Sequence, residues 1–187
     1  MNNKLWSGVD KRPPFCYTKK DMENVVKDTT ISGAKSDYKT ELLKNGALAF
    51  VPGGNSMWPT LKHRGQSVIV LPKTQKLKRF DVALYQRADG KFVLHRVMQP
   101  TEYGYIICGD SQFALEKVLE EQVFGVMSGF YRGKKYIECS DIKYIKQVER
   151  WYKRKTLRKI RLKWFFFRIK IKNKLKRIYA KIFRKGA

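Results

Sequence analysis

Between residues 47 and 139, short apolar segments with a two-residue period are separated by turn-forming residues. This periodicity is typical of β-strands, in which successive side chains point to opposite faces. The predicted strands cover residues 47–51, 67–71, 80–86, 91–98, 103–108, 122–131 and 136–139, and an Asp-Gly pair closes a hairpin turn between the third and fourth. Short strands at such spacing predict a mainly β, compact antiparallel fold, which we assign to a domain at residues 35–140.

The residues before these strands have a different composition. Residues 1–34 contain many Lys, Pro, Gly, Ser and Thr residues and few apolar ones, which predicts an N-terminal extension that wraps loosely around the domain. A short helix is expected at residues 37–44, where Ser36 caps its start and an Asn-Gly pair ends it. Leu42 and Leu43 are expected to face inward.

The C-terminal region, residues 141–187, has a helical period and a strongly basic composition. Of the net charge of +25, the stretch from residue 151 onward contributes +16 and contains no Asp or Glu. Its apolar residues recur every three or four positions and form one stripe: Leu157, Ile160, Trp164, Phe167, Ile171, Leu175, Ile178 and Ile182. This pattern predicts a long, basic amphipathic helical tail.

Three interpretations of this tail remain open. Trp164, Phe165, Phe166 and Phe167 can insert at the acyl boundary of an anionic membrane while Lys and Arg bind headgroups. Basic charge with interleaved aromatic residues also suits nucleic acid, and a helix packed on its own domain is the third interpretation. Eight large apolar residues in register favour the membrane and argue against nucleic acid.

The sequence predicts no metal site and no cofactor. Cys16, Cys108 and Cys139 are scattered, and His63 and His95 are the only histidines, so no pair has the spacing of metal ligands. The cysteines are expected to be reduced thiols that are buried or have no role.

Membrane-crossing segments are not expected either. The first residues lack the apolar core of a signal peptide, and the longest all-apolar runs have four to five residues. A spanning helix needs about 20. The expected location is therefore the cytoplasm, with peripheral attachment to the membrane through the tail.

A serine follows the first predicted strand in a turn-forming segment. Gly53 and Gly54 let the chain turn sharply and present Ser56, while Pro59 stiffens the residues that follow. An ordinary Gly-Pro loop that contains a serine is the structural alternative.

His95 is the histidine that the strand pattern places in an apolar setting. Alternation puts it on one strand face with Val93 and Val97, whereas His63 lies in a polar run expected at the surface. A neutral imidazole beside a serine is the ordinary means of activating this weak nucleophile. A core histidine bonded to a carbonyl is the alternative.

Two carboxylates follow His95 along the chain. Asp110 lies in a Gly-Asp turn after a predicted strand, and Glu116 lies six residues later. A carboxylate at a strand end can hold an imidazole in the tautomer that catalysis requires. A turn-forming aspartate and a solvated glutamate are the alternatives, and the sequence does not choose between the two residues.

Taken together and in order, several blocks resemble the superfamily of signal peptidase I and LexA-like serine peptidases. The blocks are residues 54–59 (GNSMWP), 64–70 (RGQSVIV), 80–84 (FDVAL), 94–97 (LHRV), 109–110 (GD) and 124–127 (FGVM). The resemblance covers residues 50–131, under half of the chain. A histidine before Arg-Val, where bacterial signal peptidases have lysine, is the pattern of the endoplasmic-reticulum and archaeal-type enzymes.

This resemblance implies a serine endopeptidase without a cofactor. Ser56 would be the nucleophile and His95 the general base, with Asp110 or Glu116 orienting the imidazole. The backbone N–H of Ser56 and the side chain of Asn55 would form the oxyanion hole. The implied substrate is an extended peptide, leader-type or membrane-associated, with small residues before the cut, bound by strand addition.

The sequence departs from this superfamily at several positions. Gln66 stands where Asp is usual, Phe80 where Gly is usual, and Gly54 where some relatives carry a serine that can donate to the oxyanion. The N-terminal membrane span that is usual in the superfamily is also not expected from this sequence. Two further interpretations follow: a peptidase-like adaptor that binds a peptide without cutting it, and a LexA-like regulator that cleaves itself.

Overall fold

The period-two segments form the strands of one antiparallel sheet in the computed structural model, which describes residues 37–62 and 65–183. The strands are β1 (Leu48–Phe50), β2 (Val68–Pro72), β3 (Val82–Gln86), β4 (Phe92–Pro100), β5 (Gly104–Cys108), β6 (Glu116–Leu119), β7 (Val123–Arg132) and β8 (Lys135–Glu138). Their order in the sheet is β1-β2-β7-β3-β4-β5-β6, and β8 also pairs with β7. The predicted antiparallel β-fold is thus confirmed.

Strand β6 is the one strand of this sheet that the sequence pattern did not predict. It is four residues long, and only Val118 among them is buried. Its pairing with β5 sets Val118 opposite Tyr105 and Glu116 opposite Ile107. Because its two apolar residues, Val118 and Leu119, are adjacent and give no two-residue period, this strand depends on its neighbour rather than on its own sequence.

The sheet is strongly curled, as is shown by a contact between side chains of strands that are not neighbours. Tyr85 on β3 donates a hydrogen bond of 2.8 Å to Glu116 on β6, although β4 and β5 lie between these strands. In a flat sheet the two backbones would be about 14 Å apart. The curled face encloses a buried core of Leu77, Ala83, Tyr85, Val97, Tyr105, Ile107, Val118 and Val123.

One short helix, α1 (Tyr38–Asn45), precedes the sheet. Its N-cap is Asp37, whose carboxylate accepts from the N–H of Lys39, so the helix begins one residue later than predicted. The predicted cap, Ser36, lies outside the described residues, as do the predicted extension at 1–34 and His63. Leu42 is buried as expected, but the prediction for Leu43 is wrong, because it is 62% exposed.

The second compact unit begins at Ser140 and is helical. Two helices occupy it, α2 (Ile142–Lys153) and α3 (Lys155–Phe183), so the predicted helical tail is interrupted at Arg154. The apolar stripe from Leu157 to Ile178 lies exposed along α3, each of its residues with 43% to 61% of its surface accessible. Among the described residues, no helix combines the length and the apolar character needed to span a bilayer.

We predict that Gly104→Ala destabilises the sheet at the β5–β6 pair. A Cβ at this position would lie 2.1 Å from the carbonyl oxygen of Val118, which is backbone and cannot rotate away. Overpacking of this kind costs about 1–3 kcal/mol. Gly65→Ala is the matched control, since its Cβ would meet no atom within 4 Å. Urea unfolding that gives both variants the same free energy of unfolding would contradict the prediction.

Candidate active site

Ser56 lies in the loop that follows β1, and the turn after β5 holds this loop in place. The carbonyl oxygen of Ser56 accepts hydrogen bonds from the N–H and the hydroxyl of Ser111, at 2.8 and 3.1 Å. The hydroxyl has one proton, which it shares between this oxygen and the carbonyl oxygen of Asn55, 2.8 Å away. Gly109 permits this approach, because a Cβ there would lie 2.7 Å from the Ser56 oxygen. Ser111 is thus a positioning residue that the sequence did not single out.

Ser56 and His95 line the same pocket, which has a volume of about 290 Å³. Its wall combines apolar side chains with backbone of the serine loop and a few polar groups. The remaining lining residues are Pro52, Gly53, Gly54, Met57, Leu61, Lys62, Arg87, Phe92, Val93, Leu94 and Gln112. A small, partly apolar pocket with a hydroxyl and an imidazole in its wall can accommodate a small side chain next to a reactive carbonyl.

His95 is buried in the sheet, with 4% of its surface exposed. Burial lowers the pKa of its imidazole to about 4, and the nearby positive charge of Arg87 acts in the same direction. The carboxylates of Glu116 and Asp110 oppose this shift without reversing it. His95 is therefore neutral at physiological pH, which is the form that can accept a proton.

The Nδ1 atom of His95 lies 3.3 Å from the hydroxyl oxygen of Tyr85. This hydroxyl donates to Glu116, and Arg87 binds the same carboxylate through Nε at 2.7 Å and Nη2 at 2.6 Å. The hydrogen bonds from Arg87 are the main reason that the pKa of Glu116 is lowered. Glu116 is thus ionised and is connected to the imidazole through Tyr85.

Asp110 occupies a different network. It accepts from Nε and Nη2 of Arg96, both at 2.7 Å, and from the hydroxyl of Thr60 in the serine loop. Within the described part of the chain, the ring of His95 makes no hydrogen bond to Asp110. Of the two carboxylates left open by the sequence, the structure connects Glu116, indirectly, to the imidazole.

The predicted oxyanion donors differ in their placement. The backbone N–H of Ser56 makes no hydrogen bond to an acceptor among the described residues, and Ser56 lines the pocket. Asn55 is partly exposed and does not line the pocket. Its backbone carbonyl accepts a hydrogen bond of 3.0 Å from the N–H of Trp58. Ser56 and His95 themselves are not joined by a hydrogen bond in the described residues.

The aromatic residues of the tail do not share one face. Trp164 and Phe167 belong to the exposed stripe, whereas Phe166 is exposed on another side of α3 and Phe165 is partly buried. Successive residues of a helix are rotated by about 100°, so four consecutive side chains cannot all enter one surface. Trp164 and Phe167 are the pair positioned for a common contact.

Metal ligation has no structural support in residues 37–62 and 65–183, where no cluster of three or more His, Cys, Asp or Glu could hold an ion.

Comparison of the sequence with models of protein families and with curated proteins finds no match.

Sequence reasoning also missed Tyr85 and Arg87. For Tyr85 a usable signal was present. The hairpin turn after Gln86 pairs Tyr85 with Val93, which places Tyr85 on the same face of the sheet as His95. What the turn does not indicate is that Glu116, on β6, reaches Tyr85 and Arg87 although strands β4 and β5 lie between β3 and β6.

We predict that His95 makes the protein less stable in acid. Its pKa is about 4 in the folded state against 6.5 for an unperturbed histidine, so the unfolded chain binds the proton more readily. The free energy of unfolding should fall as the pH decreases from 6.5 through 4, by a total on the order of 3 kcal/mol. His95→Gln should remove this part of the pH dependence, and His63→Gln should keep it.

Urea unfolding at about pH 7 and about pH 4 measures the effect, and an NMR titration of the His95 ring measures the pKa directly. A ring that titrates near 6.5, or an unchanged pH dependence in His95→Gln, would contradict the assignment.

Proposed function

We propose that the protein is a serine endopeptidase of the signal-peptidase type, with Ser56 as nucleophile and His95 as general base. The observation that carries the proposal is that the two side chains line one pocket and that His95 is neutral there. A serine needs such a base, because its hydroxyl is a weak nucleophile at neutral pH.

The proposed reaction is acyl transfer. The imidazole of His95 takes the proton of the Ser56 hydroxyl as the oxygen attacks the carbonyl carbon of a peptide. The protonated imidazole then gives the proton to the leaving amine, and water releases the acyl group in a second, equivalent step. The free backbone N–H of Ser56 would stabilise the negative oxygen of each tetrahedral intermediate.

The proposed substrate is an extended, leader-type peptide with a small residue before the cut. Strand β1 lies at the end of the strand order and pairs with β2, and the chain runs from it through Pro52, Gly53 and Gly54 into the pocket. A peptide added alongside β1 would therefore be led to Ser56 by main-chain hydrogen bonds.

Peripheral attachment to an anionic membrane through α3 is the second part of this proposal. The exposed stripe presents large apolar side chains, and the charged residues of the same helix are all Lys or Arg. A cationic helix with such a stripe lies in the interface plane, where apolar burial and headgroup charge both stabilise it. Attachment would bring the pocket to membrane-associated peptides.

We predict that a fluorophosphonate probe forms a single adduct on Ser56. Ser56→Ala and His95→Gln should abolish the adduct, because one removes the nucleophile and the other its base. Ser128→Ala is the control that should still react, since its partly buried hydroxyl donates to the carbonyl of Ile69 on another part of the sheet. Intact-protein mass spectrometry followed by peptide mapping gives the result.

Incubation with a library of extended peptides tests cleavage itself. Products that require Ser56 would support the peptidase. A protein that retains peptides but neither cuts them nor reacts with the probe would instead be an adaptor. Fragments of the chain itself, formed at a rate independent of protein concentration, would indicate self-cleavage.

We predict that Phe167→Ala weakens binding to anionic vesicles, whereas the neighbouring Phe166→Ala does so much less. Phe167 lies on the apolar stripe and Phe166 does not, although both are exposed. Loss of one inserted aromatic side chain should weaken binding by roughly 1.5–3 kcal/mol. Flotation of full-length protein with phosphatidylserine vesicles measures this, and high salt should weaken binding of every variant. Equal recovery of the two variants would refute insertion of the stripe.

A further inference from the structure

Tyr85 lies between the candidate base and an anchored carboxylate. It is fully buried on β3, and its ring belongs to the apolar core that also contains Ala83 and Val97. Its hydroxyl oxygen is 3.3 Å from Nδ1 of His95 and 2.8 Å from Oε2 of Glu116. Core packing therefore holds a single hydroxyl at a fixed point between an imidazole and a carboxylate.

The direction of each hydrogen bond follows from the number of protons available. Two hydrogen bonds from Arg87 keep Glu116 ionised, and an ionised carboxylate can only accept. Tyr85 must therefore direct its one proton to Glu116, which leaves only lone pairs toward His95. A lone pair accepts, so Nδ1 of His95 must be the nitrogen that carries the proton.

Burial supports this assignment of protons. It raises the pKa of Tyr85 well above its ordinary value, so the phenol is protonated at neutral pH. Because the pKa of His95 is lowered, the ring holds one proton rather than two. With that proton on Nδ1, the lone pair is on Nε2, the nitrogen left for the pocket.

We propose that Tyr85 is a positioning residue that sets the tautomer of His95, through the chain Glu116–Tyr85–His95. It takes the place of the carboxylate that contacts the imidazole directly in a Ser-His-Asp triad. No proton moves along this chain during the reaction: Nε2 receives and returns the proton of Ser56, while Tyr85 and Nδ1 keep theirs. The link to catalysis rests on the proposed peptidase function, but the tautomer does not.

The tautomer can be measured without any activity. In ¹⁵N-labelled full-length protein at neutral pH, long-range proton–nitrogen NMR spectra distinguish a protonated from an unprotonated ring nitrogen. The chain has two histidines, so His63→Gln identifies the signals of His95. We expect protonated Nδ1 and unprotonated Nε2 in the wild-type protein.

Tyr85→Phe removes only the hydroxyl and should shift the ring toward the tautomer protonated at Nε2. Glu116→Gln should shift the tautomer in the same direction. A neutral amide can donate as well as accept, so the hydroxyl of Tyr85 no longer has to direct its proton to residue 116. Tyr105→Phe is the matched control: Tyr105 is also buried in the sheet, but its hydroxyl donates to Glu120. This control should leave the signals of His95 unchanged.

The rate of fluorophosphonate labelling should fall roughly 10- to 100-fold in Tyr85→Phe and remain unchanged in Tyr105→Phe. A proton on Nε2 in the wild-type protein, or an unaltered tautomer in both Tyr85→Phe and Glu116→Gln, would overturn the proposal. A tautomer that depends on Tyr85 in a protein whose Ser56 never reacts would support the positioning of His95 and refute the peptidase function instead.

Discussion

The buried ion pair between Arg96 and Asp110 connects the parts of the chain on which the candidate site depends. Both side chains are almost inaccessible, and Asp110 also accepts from Thr60 in the serine loop, so the pair joins β4, the turn after β5 and that loop. Loss of one partner would leave a charge alone in the interior, which costs several kcal/mol. The neighbours of the pair along the chain are His95 and Ser111, which supply the candidate base and the contact that holds the serine loop.

The same network maintains an unfavourable backbone conformation beside the site. Phe80 has a φ of 77°, in the left-handed region that favours glycine. Its carbonyl accepts from Nη1 of Arg96 at 2.7 Å, and its N–H donates to the carbonyl of Val97 at 2.8 Å. Two hydrogen bonds at one residue offset a strain of about 1–3 kcal/mol.

The two carboxylates near His95 differ in role because each has its own cation. Arg96 neutralises Asp110 and Arg87 neutralises Glu116, so neither carboxylate attracts a proton to the imidazole strongly. Burial then decides the charge of His95 and keeps it neutral. A neutral ring can be oriented by a neutral hydroxyl, and this is the physical basis of the role proposed for Tyr85.

The sequence alone determined the antiparallel strands, their turns and the two residues proposed for chemistry, Ser56 and His95. The strands and turns depend on neighbours within a few positions, where periodicity and turn chemistry act directly, whereas the choice of Ser56 and His95 rested on the order of several motifs along the chain. It left Asp110 and Glu116 equivalent, and it indicated neither strand β6 nor the contact between Tyr85 and Glu116. Tertiary structure decided these points, because Tyr85 and Glu116 are 31 positions apart and meet only when the sheet curls. Curvature and register arise from the packing of all strands together, and no local pattern of residues specifies them.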